Sequence, residues 1–240
     1  MNRMKPAEAS GPSFKKSIAR EYLESIVVAV ILALFIRTFA VQAFKIPTGS
    51  METNLLIGDH LLVNKLVYSP SLGAFENMIL PKKPIQRGHV VVFKFPEDPA
   101  RDFIKRVIGL PGEKVEIRDK VVYIDGEALN EPYVRFLEPA RPRSDPEYGL
   151  RGEGIRDNWG PRIVPEGELL VLGDNRDNSR DGRFWGFLPE DQVKGRALLV
   201  YWSYEASREE YQRTGVLEWT RDTLSAFGRT RWTRFFHLIR

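Results

Sequence analysis

The run Ile26–Ile36, IVVAVILALFI, holds no charged and no polar side chain. Few segments restrict a chain more. A spanning helix needs about 20 residues to cross a hydrocarbon core of about 30 Å. Residues 22–44 supply that length once Arg37 sits near one end and snorkels to the headgroups. Before the run stand Arg3, Lys5, Lys15, Lys16 and Arg20, whereas its near C-terminal flank holds only Arg37 and Lys45. The excess of cations on the first side places the N-terminus in the cytoplasm and everything after Lys45 outside. The same apolar run also suits the core of a cleaved secretory leader, with Val41-Gln42-Ala43 offering small residues at a cleavage site, or a buried helix. The long basic leader and Arg37 favour an uncleaved anchor.

Composition then narrows the chemistry. The 240 residues include no cysteine and three histidines, His60, His89 and His237. Disulfide scaffolds, thiolate metal sites and cysteine nucleophiles are excluded. A net charge of +4 gives no reason to expect a nucleic-acid partner. No metal and no cofactor is expected. Chemistry must come from Ser, Thr, Lys, Arg, Asp, Glu or Asn.

From Ile46 onward helical periodicity gives way to short β-rich runs: 60–67, 89–95, 103–109, 114–117, 121–124, 168–172 and 197–202. Asp125-Gly126 after Val121–Ile124 supplies the positive-φ residues of a tight hairpin. Short strands at this spacing predict a mainly β chain, an antiparallel sandwich or barrel-like domain after one N-terminal transmembrane helix. The organisation expected is a basic leader over 1–21, an anchor over 22–44, a β-rich domain over 45–220 and a tail over 221–240. Residues 137–157, rich in Pro, Arg and Gly, read as a surface insertion. In the tail, Leu224, Phe227, Phe235, Phe236 and Ile239 are spaced to share one face of a helix ringed by arginines. That helix packs on the domain or rests on a membrane surface.

Three stretches carry candidate chemistry. Ser50 follows Gly49 in Ile46-Pro47-Thr48-Gly49-Ser50-Met51; alone it is a turn residue, and as a nucleophile it needs a base. On a strand over 103–109, Phe103, Lys105 and Val107 share a face. A lysine among apolar neighbours loses its charge readily and then serves as a general base; otherwise it guards a sheet edge against aggregation. Gly173–Gly186 packs Asp174, Asn175, Arg176, Asp177, Asn178, Ser179, Arg180, Asp181 and Arg183 behind an apolar strand. It is either a solvated loop or an Asp–Arg lattice stiffening a site. The calcium-loop pattern fails because the terminal bidentate glutamate is missing.

Together and in order, these stretches resemble bacterial type I signal peptidases, the serine–lysine endopeptidases. Residues 42–51 are similar to the family's nucleophile box, with Gly58-Asp59 continuing it, and residues 87–93 to its next strand. Residues 103–112 are similar to its lysine box and 173–186 to its last box, approached through Asp157-Asn158-Trp159-Gly160-Pro161. The resemblance implies that Ser50 is the nucleophile, Lys105 the base and Ser179 the hydroxyl that orients the amine. It implies an oxyanion site from Thr48 and the Ser50 N–H, and a structural ion pair, Asp181–Arg183. It implies substrate pockets from Ile46, Met51, Leu55, Phe103 and Ile104, with Phe44, Leu61 and Val92 further out. The implied partners are secretory precursors and membrane lipid, and the implied location is the cytoplasmic membrane, single-pass.

Four positions depart from the family pattern. Thr53-Asn54 replaces Pro-Thr, His89 stands for the usual Asp, and Gly182 for the usual Ser. Two other readings share these residues: a serine–lysine protease that cleaves itself, and an inactive anchored β domain that binds peptides.

Overall fold

A computed structural model of the chain describes residues 17–66, 84–139, 153–205 and 228–239. It divides into two compact units, Met1–Phe39 and Ala40–Arg240.

In the first unit, helix α1 spans Ile18–Phe35. Ser17 caps it, its side chain accepting from the Arg20 N–H and satisfying one of the orphan donors of the first turn. No residue of α1 is buried, and Ile26, Ile31 and Leu34 are more than half exposed. Among the described residues, no helix is long and apolar enough to cross a membrane. Arg20, Glu21 and Glu24 occupy the first turns of α1, so its purely apolar part is short. A π-helical turn, Ile36–Ala40, follows. The helix expected over 22–44 therefore ends early, because Val41–Lys45 is strand β1. That stretch is apolar for pairing rather than for lipid.

The described residues of the second unit form two antiparallel sheets. The larger is built from β1, β2 (Asp59–Asn64), β3 (Val90–Phe95), β4 (Asp98–Gly109), β9 (Glu168–Leu172), β10 (Leu188–Pro189), β11 (Val193–Ser203) and β12 (His237–Leu238). They run in the order β1-β2-β11-β3-β4-β9-β10, with β12 on β11. The smaller follows β7-β6-β5-β8: Glu127–Ala128, Val121–Ile124, Lys114–Arg118 and Trp159–Ile163. The expected runs lie within these strands, apart from small differences at their ends and Val67, which falls outside the described residues. The Asp125-Gly126 turn has φ of 51° and 92° and closes the β6–β7 hairpin, as its residue types demand. The short strands β8, β10 and β12 and the 41–45 strand were not visible as separate signals. Each is too brief to show alternation.

Three apolar clusters fill the unit. One joins Ile46, Met51, Leu55 and Leu61 to Val92, Ile104, Val200 and Ile239 beneath the Ser50 turn. A second lies around Val91, Phe93, Val107 and Val171. The third takes Ile108, Leu170 and Leu172 from the large sheet and Val115, Ile117 and Trp159 from the small one, so it welds the sheets together.

The C-terminal segment departs from expectation. Leu224 and Phe227 lie outside the described residues. Over 229–239 there is a 3-10 turn at Trp232–Arg234 and strand β12, not an α-helix. Arg234 is turned inward: it grips the buried Asp59 carboxylate at 3.1 and 2.6 Å and the Asn54 carbonyl at 2.7 Å. Arg231 donates to Ile57 O, and Ile239 enters the core. These contacts outweigh helical periodicity, because a carboxylate buried at 59 needs a cation. Arg234→Ala is expected to destabilise the chain by about 2–4 kcal/mol, since it strips Asp59 of its cation. The urea midpoint measures this; a shift worth less than about 0.5 kcal/mol would refute the clamp.

Candidate active site

Ser50 sits in a 3-10 turn, Gly49–Met51, that leaves β1 through Ile46-Pro47. Lys105 lies mid-strand in β4, opposite Val91 of β3. β4 also pairs with β9, whose last residue, Leu172, leads straight into the polar stretch that begins at Gly173. Sheet order thus delivers all three stretches to one place.

The lysine Nζ donates to Ser50 Oγ at 2.7 Å and to Ile104 O at 3.0 Å. Ser50 is 6% exposed and Lys105 4%. Burial pulls the amine down to about 8 from its usual value near 10.5. Asp181 and Asp174 oppose that fall and Arg183 assists it, but desolvation dominates. Lys105 is therefore a desolvated amine beside a hydroxyl, not an edge cation in water.

The stretch after β9 is not a solvated loop either, because its charges pair. Asp174 takes two bonds from Arg106 at 2.8 and 2.7 Å. Asp177 takes Lys120 at 2.7 Å and the backbone N–H groups of Leu137 and Glu138. Asp181 takes Arg183 at 2.8 and 2.9 Å and the Gly173 N–H at 3.0 Å. Arg183 also donates to the carbonyls of Arg156 and Arg176. The stretch is a cross-linked wall held against the Ser50 turn. The two ends of the expected surface insertion belong to this wall: Leu137 and Glu138 through Asp177, and Arg156 and Asp157 by burial. Residues 140–152 lie outside the described residues.

Ser179 is buried, yet its Oγ has no hydrogen-bond partner among the described residues. The bond from Ser179 to the amine, implied by the resemblance, is not made; the amine is directed to Ser50 and Ile104. Ser179 nevertheless lies at the site. A Cβ on Gly173 would collide with it and lie 2.6 Å from Ser50 O, so only glycine lets the two serines approach.

A cleft of about 790 Å³ opens over the pair. Thr48, Phe44, Ile46, Val92, Phe103 and Ile104 line it. Met51, Leu55 and Leu61 do not. They are fully buried in the cluster below, where they support its floor.

The departures find physical reasons. Asn54 donates to Asp174 at 2.6 Å and to Tyr133 O at 3.3 Å, which ties down the segment that a proline ring would otherwise stiffen. At Gly182 a Cβ would meet Leu170 Cδ1 at 2.8 Å and Val171 O at 3.1 Å, so a serine there would require the Leu170 side chain to shift. His89 accepts from Gln86 N–H at 3.2 Å, and burial beside Arg196 lowers its pKa to about 4.

The family model described as signal peptidase, peptidase S26, matches residues 19–202. Signal peptidase I of Pseudomonas aeruginosa is 33% identical over 230 residues, covering 85% of this chain and 81% of its own. A probable signal peptidase I-2 of Synechocystis is 38% identical over 185 residues, covering 75% and 71%. The crystal structure of a signal peptidase I from Enterococcus faecalis is 34% identical and covers 48% of this chain and 97% of its own, with a TM-score of 0.37.

Proposed function

The chain belongs to the signal peptidase family, peptidase S26; it is a serine endopeptidase that removes signal peptides, and we propose that it works through a Ser50–Lys105 dyad on a single-pass membrane anchor. The observation that carries the dyad is the 2.7 Å contact between a buried lysine amine and a serine hydroxyl.

Neutral Lys105 takes the Ser50 proton as Oγ attacks the scissile carbonyl. The developing oxyanion is held by the Ser50 N–H and the Thr48 hydroxyl. Lys105 returns its proton to the leaving amine, then activates the water that releases the ester. Ser179 rotates to orient the amine once substrate excludes water, and Asp181–Arg183 braces the wall behind. An extended precursor segment lies in the cleft, small side chains against Phe44, Ile46, Val92, Phe103 and Ile104, with Met51, Leu55 and Leu61 as floor.

The anchor is the helical stretch 18–40, whose Ile26–Ile36 part is exposed and apolar around its circumference, a pattern suited to lipid, with Arg37 snorkelling at its far end. The charges at 20, 21 and 24 sit at its cytoplasmic end, and the sandwich-like domain after residue 40 works outside. Trp232, Phe236 and Leu238, all exposed, rest on lipid. Ser50 is then close to the membrane, where the cleavage site of a precursor emerges.

The test uses the full chain in detergent with a precursor carrying small residues at positions −3 and −1. Product is expected from the parent and none from Ser50→Ala. Because only neutral Lys105 is active, and its amine loses its proton near pH 8, kcat/KM should fall about tenfold per pH unit below that point. A rate that stays level between pH 8 and pH 6 would remove Lys105 as base.

A further inference from the structure

Asn175 touches the nucleophile turn twice. Its side-chain Nδ2 donates to Gly49 O at 3.1 Å, and its backbone N–H donates to Ser50 O at 3.1 Å. Those two carbonyls belong to the two peptide units that flank Ser50 Cα. A peptide unit is planar, with C=O and N–H pointing in opposite directions. Gripping Gly49 O therefore aims the Ser50 N–H, and gripping Ser50 O fixes the next plane. Only φ and ψ of Ser50 connect the two planes, so one residue sets the backbone of the nucleophile.

Asn175 is itself immobilised. It is fully buried and bridges Arg135. Asp174 before it is locked to Arg106, and its carbonyl accepts from Arg135 N–H at 2.8 Å. The side chain must be a donor here. An aspartate would set a carboxylate against the Gly49 carbonyl, and a hydroxyl would not span the gap.

We infer that Asn175 is a positioning residue for oxyanion stabilisation: it acts through the Gly49–Ser50 peptide, aiming the Ser50 N–H at the charge that develops on the scissile carbonyl oxygen. The inference rests on the Ser50–Lys105 reading. A mis-aimed donor loses the transition state and leaves ground-state binding untouched.

The test compares the parent with Asn175→Ala as full chains in detergent. Three readouts are taken: cleavage kinetics, affinity for a peptide aldehyde, and affinity for the same peptide with a reduced scissile amide. Ser50 Oγ adds to the aldehyde carbon as its proton passes to Lys105, which leaves the carbonyl oxygen as an oxyanion in the site; the reduced amide has no carbonyl there. Expected are a kcat lowered about 10- to 100-fold and aldehyde affinity lowered alike. Affinity for the reduced-amide peptide stays within about threefold, and the acid limb set by Lys105 stays in place. Should Asn175→Ala fold poorly, Asn175→Ser, whose side chain is too short to reach Gly49 O, is measured per active Ser50 and must give the same split. Parental kcat in either folded variant, or equal weakening of both peptides, overturns this inference alone. An active Ser50→Ala overturns the dyad reading and this inference with it.

Discussion

Lys105→Met is expected to abolish cleavage while making the fold more stable. Loss of the base should lower kcat by at least about 10⁴-fold, as when a member of a coupled catalytic unit is removed. Stability moves the other way. The amine loses its proton near pH 8 in the fold and near pH 10.5 in the unfolded chain. Between those values the unfolded chain binds more protons, so Lys105's contribution rises with pH; below about pH 8 the full penalty is present. That penalty is about 3 kcal/mol at neutral pH, from the size of the shift. Methionine fills similar space without charge, so a gain of about 1–3 kcal/mol is expected at pH 7, shrinking from about pH 8 upward and largely gone by pH 10. Urea unfolding at pH 7 and pH 10 measures both halves. An inactive variant with lower stability at pH 7 would show that the lysine is not desolvated as the structure has it.

Asp174→Ala is expected to be the most damaging substitution in the wall. Arg106 and Asp174 are each about 1% exposed and share two charge-assisted bonds. The variant strips a buried guanidinium of the Asp174 carboxylate, while its contacts with the Gly88 carbonyl and the Tyr133 ring, at 4.0 Å, remain. Breaking such a pair from one side costs about 3–5 kcal/mol, against a total stability of about 5–15 kcal/mol. It also frees Asn54, whose side chain bonds Asp174 at 2.6 Å. The double variant Arg106→Met/Asp174→Leu should recover most of the loss, because it removes both charges. If Asp174→Ala shifts the urea midpoint by less than about 1 kcal/mol, the pair is not the brace described.

The strands were legible because alternation and turn chemistry are local. Val121–Ile124 with Asp125-Gly126 can be read from six residues. The last turn of the apolar segment was misread for the same reason: Val41–Lys45 looks equally apolar whether it meets lipid or pairs with β2, and only the partner strand distinguishes them. The tail failed differently. Its aromatic spacing suits a helix, but Asp59, buried far away in sequence, draws Arg234 inward. The clamping role of Asn175 and Asn54 was not legible, since an asparagine in solvent and one clamping a carbonyl read alike. The density of Asp, Asn and Arg after an apolar strand was the one signal that Asn175 belonged to a site; Asn54 stood out only as a departure from the family pattern.

Sequence by itself determined the residue types available for chemistry, the β-rich character after residue 45 and the apolar helix before it. Resemblance supplied the pairing of Ser50 with Lys105. Tertiary structure decided what those residues are. The Lys105 amine gives up its proton readily because strands from distant parts of the chain exclude water from it. Ser50 acquires a defined backbone because Asn175, which lies far along the chain, holds both adjoining peptides. Desolvation and peptide orientation depend on what covers a residue, and no local pattern records that.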